Sequence, residues 1–215
     1  MGKVVAIDGP AGSGKGTVAK ILAQKCNLVY IDTGAMYRAI AYSSLQNNID
    51  IADTDKIVEL ALNSKIEFID GKTYLDGIDI SKEIRSMEVT RIVSPISSIV
   101  KLREILVDMQ RKMAGNNDVI MEGRDITTVV FPNATYKFYL DATLDERAKR
   151  RYKENIEKGM YVYLEEIKEN ISKRDYNDMH KEVGSLTRTE DSIYIDSTNL
   201  TIDEVVEKIK NIIEV

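Results

Sequence analysis

Gly9-Pro10-Ala11-Gly12-Ser13-Gly14-Lys15-Gly16-Thr17 lies between an apolar run, Lys3–Asp8, and a helical pattern at 15–26. Glycine permits the torsions that turn successive backbone N–H groups inward, and it leaves no Cβ between backbone and anion. The helix that follows adds the positive end of its dipole. Lys15 supplies a point charge for the β- and γ-phosphates of a nucleoside triphosphate, read here as ATP. The usual loop places a Ser or Thr hydroxyl for Mg²⁺ directly after the lysine. In this chain Gly16 intervenes, and Thr17 carries the candidate Mg²⁺-binding hydroxyl one place later.

Outward from the loop, short apolar runs alternate with helical stretches. The runs are Lys3–Asp8, Leu28–Asp32, Asp118–Glu122, Lys137–Asp141 and Ser192–Asp196. Apolar residues at consecutive positions suit strands buried on both faces of a parallel sheet. Helical patterns occupy 15–26, 34–47, 97–114, 144–158, 162–173 and 201–213. The alternation predicts an α/β fold: a parallel sheet of about five strands, helices on both faces and right-handed crossovers. One interval breaks the rhythm. After a short helix at Asp53–Leu62, the segment 63–94 shows period-two alternation with turns at Gly71 and Gly77. It reads as a small antiparallel insertion between core segments 1–62 and 95–215. Residues 151–173 read as a charged helical hairpin turning at Gly159, and Pro10, Pro95 and Pro132 fall near loops or element boundaries.

Composition bounds the partners. The chain has 215 residues, 43% hydrophobic and 30% charged, as expected of a soluble globular protein with one sizeable core. A net charge of -5 argues against a nucleic-acid binder held by bulk electrostatics. No apolar run approaches the ~18 residues that span a bilayer, so no membrane association is expected. The loop begins too early to leave room for a signal peptide, and the single Cys26 cannot form an internal disulfide. A cytoplasmic monomer is the expectation.

Three further motifs carry charge to the crevice at the strand ends, where open α/β sheets bind ligands. Asp32-Thr33-Gly34-Ala35-Met36-Tyr37-Arg38 leaves the second strand and enters a helix, and Arg38 can fork two N–H groups onto a phosphate. Glu122-Gly123-Arg124-Asp125 turns directly off the strand Asp118–Glu122. Arg174, Asp175, Asp178 and Lys181 follow at helical spacing, with Arg174, Asp178 and Lys181 on one face. Taken singly, each has a plain alternative: a capped helix with a surface arginine, a solvated ion pair, and an intrahelical salt-bridge ladder.

In this order behind the glycine-rich loop, DTGAMYRA, GRDI–TVVFPNA and RDxxD resemble the bacterial cytidylate kinase family, from the first strand to the tail DSTNLTIDEVV. The GKGT ending of the loop is itself similar to nucleoside monophosphate kinases. The resemblance implies transfer of the ATP γ-phosphoryl group to CMP or dCMP. It implies that Arg38, Arg124 and Arg174 bind the acceptor phosphate, with Lys15, Arg124 and Arg174 catalytic. Ser94, Arg103 and Asp125 would read the cytosine, with Thr33 and Tyr37 beside it, and Asp178 would bond the ribose. A lid at about 144–173 would offer Arg147, Arg150 and Arg151 to ATP phosphates, and the insertion would form a substrate-side domain.

Three positions depart from the family pattern. Lys181 stands where arginine closes RDxxDxxR, and lysine lacks the planar two-pronged contact. Thr127 replaces a glycine after GRDI, and Glu122 replaces an aspartate. The acceptor stays open to a rival, a kinase for UMP, AMP or shikimate. A non-catalytic nucleotide sensor would use the same loop. A GTPase is disfavoured, because no Asn-Lys-x-Asp segment occurs. The lone His180 is read as structural, since an acceptor phosphate oxygen needs no general base.

Overall fold

The computed structural model describes residues 2–157 and 159–213. Lys158, at the end of the 144–158 helical pattern, lies outside them, as do Met1, Glu214 and Val215 of the expected core.

The apolar runs pair as a five-stranded sheet with every neighbour parallel. Its strands are β1 (Val4–Asp8), β2 (Val29–Asp32), β6 (Val119–Gly123), β7 (Tyr136–Asp141) and β8 (Ile193–Asp196), in the order β2-β6-β1-β7-β8. Burial on consecutive positions has the expected cause. Val5, Ile7, Ile120, Phe138 and Leu140 face α1 (Lys15–Lys25) and α8 (Ile202–Ile213). Val4, Ala6, Val119 and Met121 face Val107 and Ala114 of α5 (Val100–Ala114) and the turn Ile126–Val130. Strand β1 leads one way to β2 and β6 leads back across it to β7. The loops after β1, β2, β6 and β7 therefore open on one crevice.

The remaining elements surround that crevice. Helix α2 (Thr33–Gln46) starts where the Asp32 carboxylate accepts the Ala35 N–H at 2.8 Å. Helix α3 (Thr54–Asn63) leads to a separate antiparallel sheet of β3 (Ile66–Ile69), β4 (Lys72–Leu75) and β5 (Ile78–Asp79). Its two turns are the expected ones: Asp70-Gly71 and Asp76-Gly77 all adopt positive φ, as tight hairpins with this dipeptide require.

The antiparallel pattern stops sooner than expected. Residues 83–85 form a 3₁₀ turn and Met87–Ile96 a helix, α4. Ser86 caps α4 by accepting the Val89 N–H, and Val89, Val93 and Ile96 bury one stripe beside α2 and α5, at about 1.5–3 kcal/mol per side chain. Pro95 sits in the last turn of α4, and the expected helix at 97–114 begins only at Val100. The hairpin consists of α6 (Leu144–Glu157) and α7 (Leu164–Met179). Helix α7 runs six residues beyond the expected 173 and so carries Arg174 and Asp178 within the helix.

Candidate functional site

The glycine-rich loop passes within main-chain contact of β7: a Cβ on Gly9, at φ 151°, would lie 2.0 Å from the Leu140 carbonyl oxygen. Gly14, at φ 92°, is the N-cap of α1. Lys15 folds back over the loop, its Nζ donating to the Pro10 carbonyl at 2.8 Å and to Ser13 Oγ at 3.3 Å. Burial, then the Arg124 charge, lower its pKa from 10.5 to about 7. Thr17, the expected Mg²⁺ contact, is exposed; the position turned toward Glu122 is Gly16, where a Cβ would sit 3.0 Å from Glu122 Oε1.

Arg38, Arg124 and Arg174, the arginines expected at an acceptor phosphate, lie within one field of charge. Arg38 donates to the Ile84 carbonyl and Thr90 Oγ1, at 3.2 and 3.0 Å. Burial, then Arg174, Arg151 and Arg85, bring its pKa down to about 9. Arg174 is lowered to about 10 by burial and by Arg124, and its buried Nε has no hydrogen-bond partner. Arg124 donates Nε to Asp178 Oδ2 at 2.9 Å; burial opposes its charge, and Asp178 more than offsets that. A pocket of like charges depressing one another's pKa is a site that an anion relieves.

Asp178 is the hub of this arrangement. Lys181 lies 2.9 Å from Oδ1, and Arg124 and Arg174 stand 2.9 and 3.8 Å from Oδ2. Burial pushes the Asp178 carboxyl up, yet Arg124, Lys181 and Arg174 together hold it well below the usual carboxylate range. Lys181 has only 7% of its side chain exposed and also donates to Ser97 Oγ at 2.9 Å. It ties the end of α4 to α7.

Of the residues expected to read a base, Arg103, Asp125 and Tyr37 lie together. Arg103 pairs with Asp125 through Nη2, donates Nη1 to the Ser97 carbonyl at 3.0 Å, and lies 5.4 Å over the Tyr37 ring. Burial raises the Tyr37 phenol well above its ordinary value. Ser94 lies in the last turn of α4, its carbonyl accepting from the Ser97 and Ser98 hydroxyls. Thr33 spends its hydroxyl on the Glu122 carbonyl at 2.8 Å, locking α2 to the end of β6.

The lid arginines divide. Arg147 is not available to phosphates, contrary to expectation. It is buried, bonded to the carbonyls of Ala142 and Ala11 at 2.9 Å each and paired with Asp175. Arg150 is tied to Glu146 and Ser197 and reaches the Ser13 carbonyl at 3.4 Å, against the outer wall of the loop. Arg151 pairs with Glu154 at 2.9 Å and adds its charge to the field at Arg38 and Arg174. His180 is exposed and stacks on Tyr176, with ring centroids 4.0 Å apart.

Two residues missed in the sequence belong here. Arg85, in the 3₁₀ turn, reaches Asp32 at 3.4 Å and faces Arg38. Asp8, fully buried, accepts from the N–H groups of Ile126 and Thr127 and from Thr127 Oγ1, at 2.9, 2.8 and 2.7 Å. Thr127 thus adds a hydroxyl that glycine lacks, and the bonds tie the turn after Asp125 to β1. Asp8 could have been suspected from its place between β1 and the loop; nothing in the sequence marked Arg85.

The family model for cytidylate kinase matches residues 5–215. A cytidylate kinase from Alkaliphilus oremlandii is 51% identical over 98% of this chain and 97% of its own. One from Clostridioides difficile is 48% identical over 96% and 95%. Among solved structures, shikimate kinase from Bacteroides thetaiotaomicron aligns over 99% of both chains, with a TM-score of 0.51 at 13% identity. TT1252 from Thermus thermophilus gives 0.50 at 17%, covering 100% and 98%. These structures share the fold.

Proposed function

The chain belongs to the cytidylate kinase family, and on that premise we propose how its cleft serves the reaction. The enzyme transfers the γ-phosphoryl group of ATP to CMP or dCMP, giving ADP and CDP or dCDP. An oxygen of the acceptor phosphate attacks the γ-phosphorus while the bond to the β–γ bridging oxygen breaks. The acceptor oxygen is already nucleophilic near neutral pH, so the protein's part is positioning and charge neutralisation.

The observation that carries the residue assignments is the convergence of Arg38, Arg124, Arg151 and Arg174 with Lys15, where burial and mutual repulsion lower the pKa of Lys15, Arg38 and Arg174. Lys15 and the loop amides hold the donor phosphates. Arg38, Arg124 and Arg174 hold the acceptor phosphate, joined by Arg85. Arg103, Asp125 and Ser94 read the cytosine with Tyr37 as a wall. Asp178 serves chiefly to fix Arg124 and Lys181, and Lys181 serves as a tether.

Mg²⁺ fits the residues present. Asp32 and Glu122 are register partners at the ends of β2 and β6, and burial together with the Asp32 charge raises the Glu122 pKa. A cation relieves such a pair, and Mg²⁺ needs only one or two carboxylates beside substrate phosphates. Asp32 and Glu122 would hold it or its water shell, where it would neutralise developing phosphate charge. Among the described residues no helix is long and apolar enough to cross a membrane. A cytoplasmic monomer is the proposed state.

A coupled ADP-release assay with CMP, dCMP, UMP, AMP and shikimate tests the acceptor. Turnover with CMP and dCMP at least about tenfold above UMP is expected, well within the ~10⁴–10⁵-fold by which a site built to hydrogen-bond one polar edge can reject an analogue without it. Equal turnover with UMP would remove Arg103 and Asp125 as the cytosine readers.

Lys15 makes ATP binding proton-linked. Its pKa of about 7 in the free enzyme leaves it only partly charged near neutrality, and anionic phosphates favour the charged form. ATP binding is therefore expected to take up protons just above pH 7. Calorimetric titrations in buffers of different ionisation enthalpy measure this uptake; no buffer dependence would contradict it.

A further inference from the structure

Every group that Ala11 offers is engaged by the helical hairpin. Its N–H donates to Asp175 Oδ1 on α7 at 3.1 Å, and its carbonyl accepts from Arg147 Nη1 on α6 at 2.9 Å. Its methyl group packs with Ala148, Ile167 and Ile171, the small apolar core between the two helices. Arg147 and Asp175 pair with each other, which closes a ring of three around one residue of the phosphate loop. The fit continues at Gly12, where a Cβ would lie 3.2 Å from the Cβ and the carbonyl oxygen of Arg147. All three polar contacts are buried, so bulk water offers the atoms no alternative partner.

We propose that Arg147 and Asp175 are positioning residues that set the phosphate loop for the donor nucleotide by clamping Ala11, without touching either substrate. The clamp is built from main-chain bonds of the loop itself, so a change in its geometry moves the amides that face the phosphates. Asp175 also stands beside the acceptor arginines and contributes to the charge felt by Arg124 and Arg174. Helix α7 therefore presents the donor loop with Asp175 and the acceptor site with Arg174 and Asp178. Among the described residues Arg147 bonds Ala142, Ala11 and Asp175 and none of the arginines expected at the acceptor, which makes it the discriminating position. The inference rests on reading the cleft as an ATP-dependent kinase site.

The test is steady-state kinetics of the full chain with ATP and CMP varied separately, together with thermal melting. Arg147→Met is expected to raise the KM for ATP roughly tenfold with the KM for CMP within about twofold, a scale set by small misplacement of a binding group. Arg147→Lys, which keeps the charge and loses the fork, is expected to recover part of that rise. If Arg147→Met does not fold, Arg147→Lys alone carries the test, with a smaller rise confined to ATP. Asp175→Asn is expected to raise both KM values, and its combination with Arg147→Met to be no worse than the more impaired single variant for ATP. Kinetics matching the parent enzyme despite a lowered melting temperature would reduce the ring to a structural contact and overturn the proposal. An equal rise for ATP and CMP in Arg147→Met would overturn it as well. Failure of the underlying reading looks different, because the parent enzyme itself would then form no ADP in response to CMP.

Discussion

Lys15→Met is expected to lower kcat for phosphoryl transfer by about 10²–10³-fold or more, the scale for removing a preorganised charge from the transferring group. The fold is expected to survive. The lysine is buried in the loop and donates to Pro10 and Ser13, and burial with the Arg124 charge outweighs the pull of the Glu122 and Asp8 carboxylates on its ammonium. Its folded-state pKa, about 7, lies below the ordinary 10.5. The charged form is therefore disfavoured by folding: the cost begins as pH falls below 10.5, grows until about 7 and is constant below that. Methionine removes this cost at similar length. Urea denaturation at pH 7 is expected to show Lys15→Met at least as stable as the parent, while the coupled assay shows almost no turnover. A variant that keeps more than a tenth of the parent kcat would remove Lys15 from the chemistry.

Asp178→Ala is the opposite case, with stability as its main casualty. Its carboxylate is almost fully buried and compensates Arg124, Arg174 and Lys181. Removing it leaves three partly buried cations facing one another, and breaking a fully buried pair from one side costs about 3–5 kcal/mol, which sets the upper end of the expected loss. The Asp178 carboxyl is held below its ordinary range, so its contribution is present above about pH 4 and is lost as pH falls below that. Denaturant midpoints at pH 7 measure the loss, and Asp178→Asn, which keeps an acceptor for Arg124, is expected to fall between. CMP turnover drops with either substitution, because Arg124 and Lys181 lose the group that orients them. A destabilisation of less than about 1 kcal/mol for the alanine variant would show that water compensates the cations and that Asp178 is no hub.

Much of this arrangement was legible before the fold was known. Consecutive apolar residues such as Val4 to Ile7 read as a strand buried on both faces, and they are. The ends of β1, β2 and β6 carry the glycine-rich loop, Thr33 with Arg38, and Arg124 with Asp125, because strand ends in a parallel sheet face one crevice. Helix α4 was hidden by its company. Val89, Val93 and Ile96 keep helical spacing and Ser86 is a good cap, but β-branched residues and Pro95 mask a helix placed directly after a hairpin.

Direction was less legible than membership. Arg147, Arg150 and Arg151 stand three and four residues apart and so share one face of α6, yet Arg147 bonds Ala11 while Arg151, one turn on, adds its charge at Arg38 and Arg174. Asp175 lies about 100° around α7 from its neighbour Arg174, so it meets the Ala11 N–H while Arg174 stands beside Asp178. Lys181 read as a lysine in place of the arginine that closes RDxxDxxR, and its ammonium, 2.9 Å from both Ser97 Oγ and Asp178 Oδ1, joins the end of α4 to α7.

The most direct test of the central claim is ³¹P NMR of the enzyme incubated with ATP, Mg²⁺ and CMP. CDP and ADP are expected to accumulate together in equal amounts, and neither is expected to form when CMP is omitted. ATP loss that yields inorganic phosphate regardless of CMP, or no loss at all, would contradict a cleft built to pass the γ-phosphoryl group from the Lys15 loop to the acceptor held by Arg38, Arg124 and Arg174.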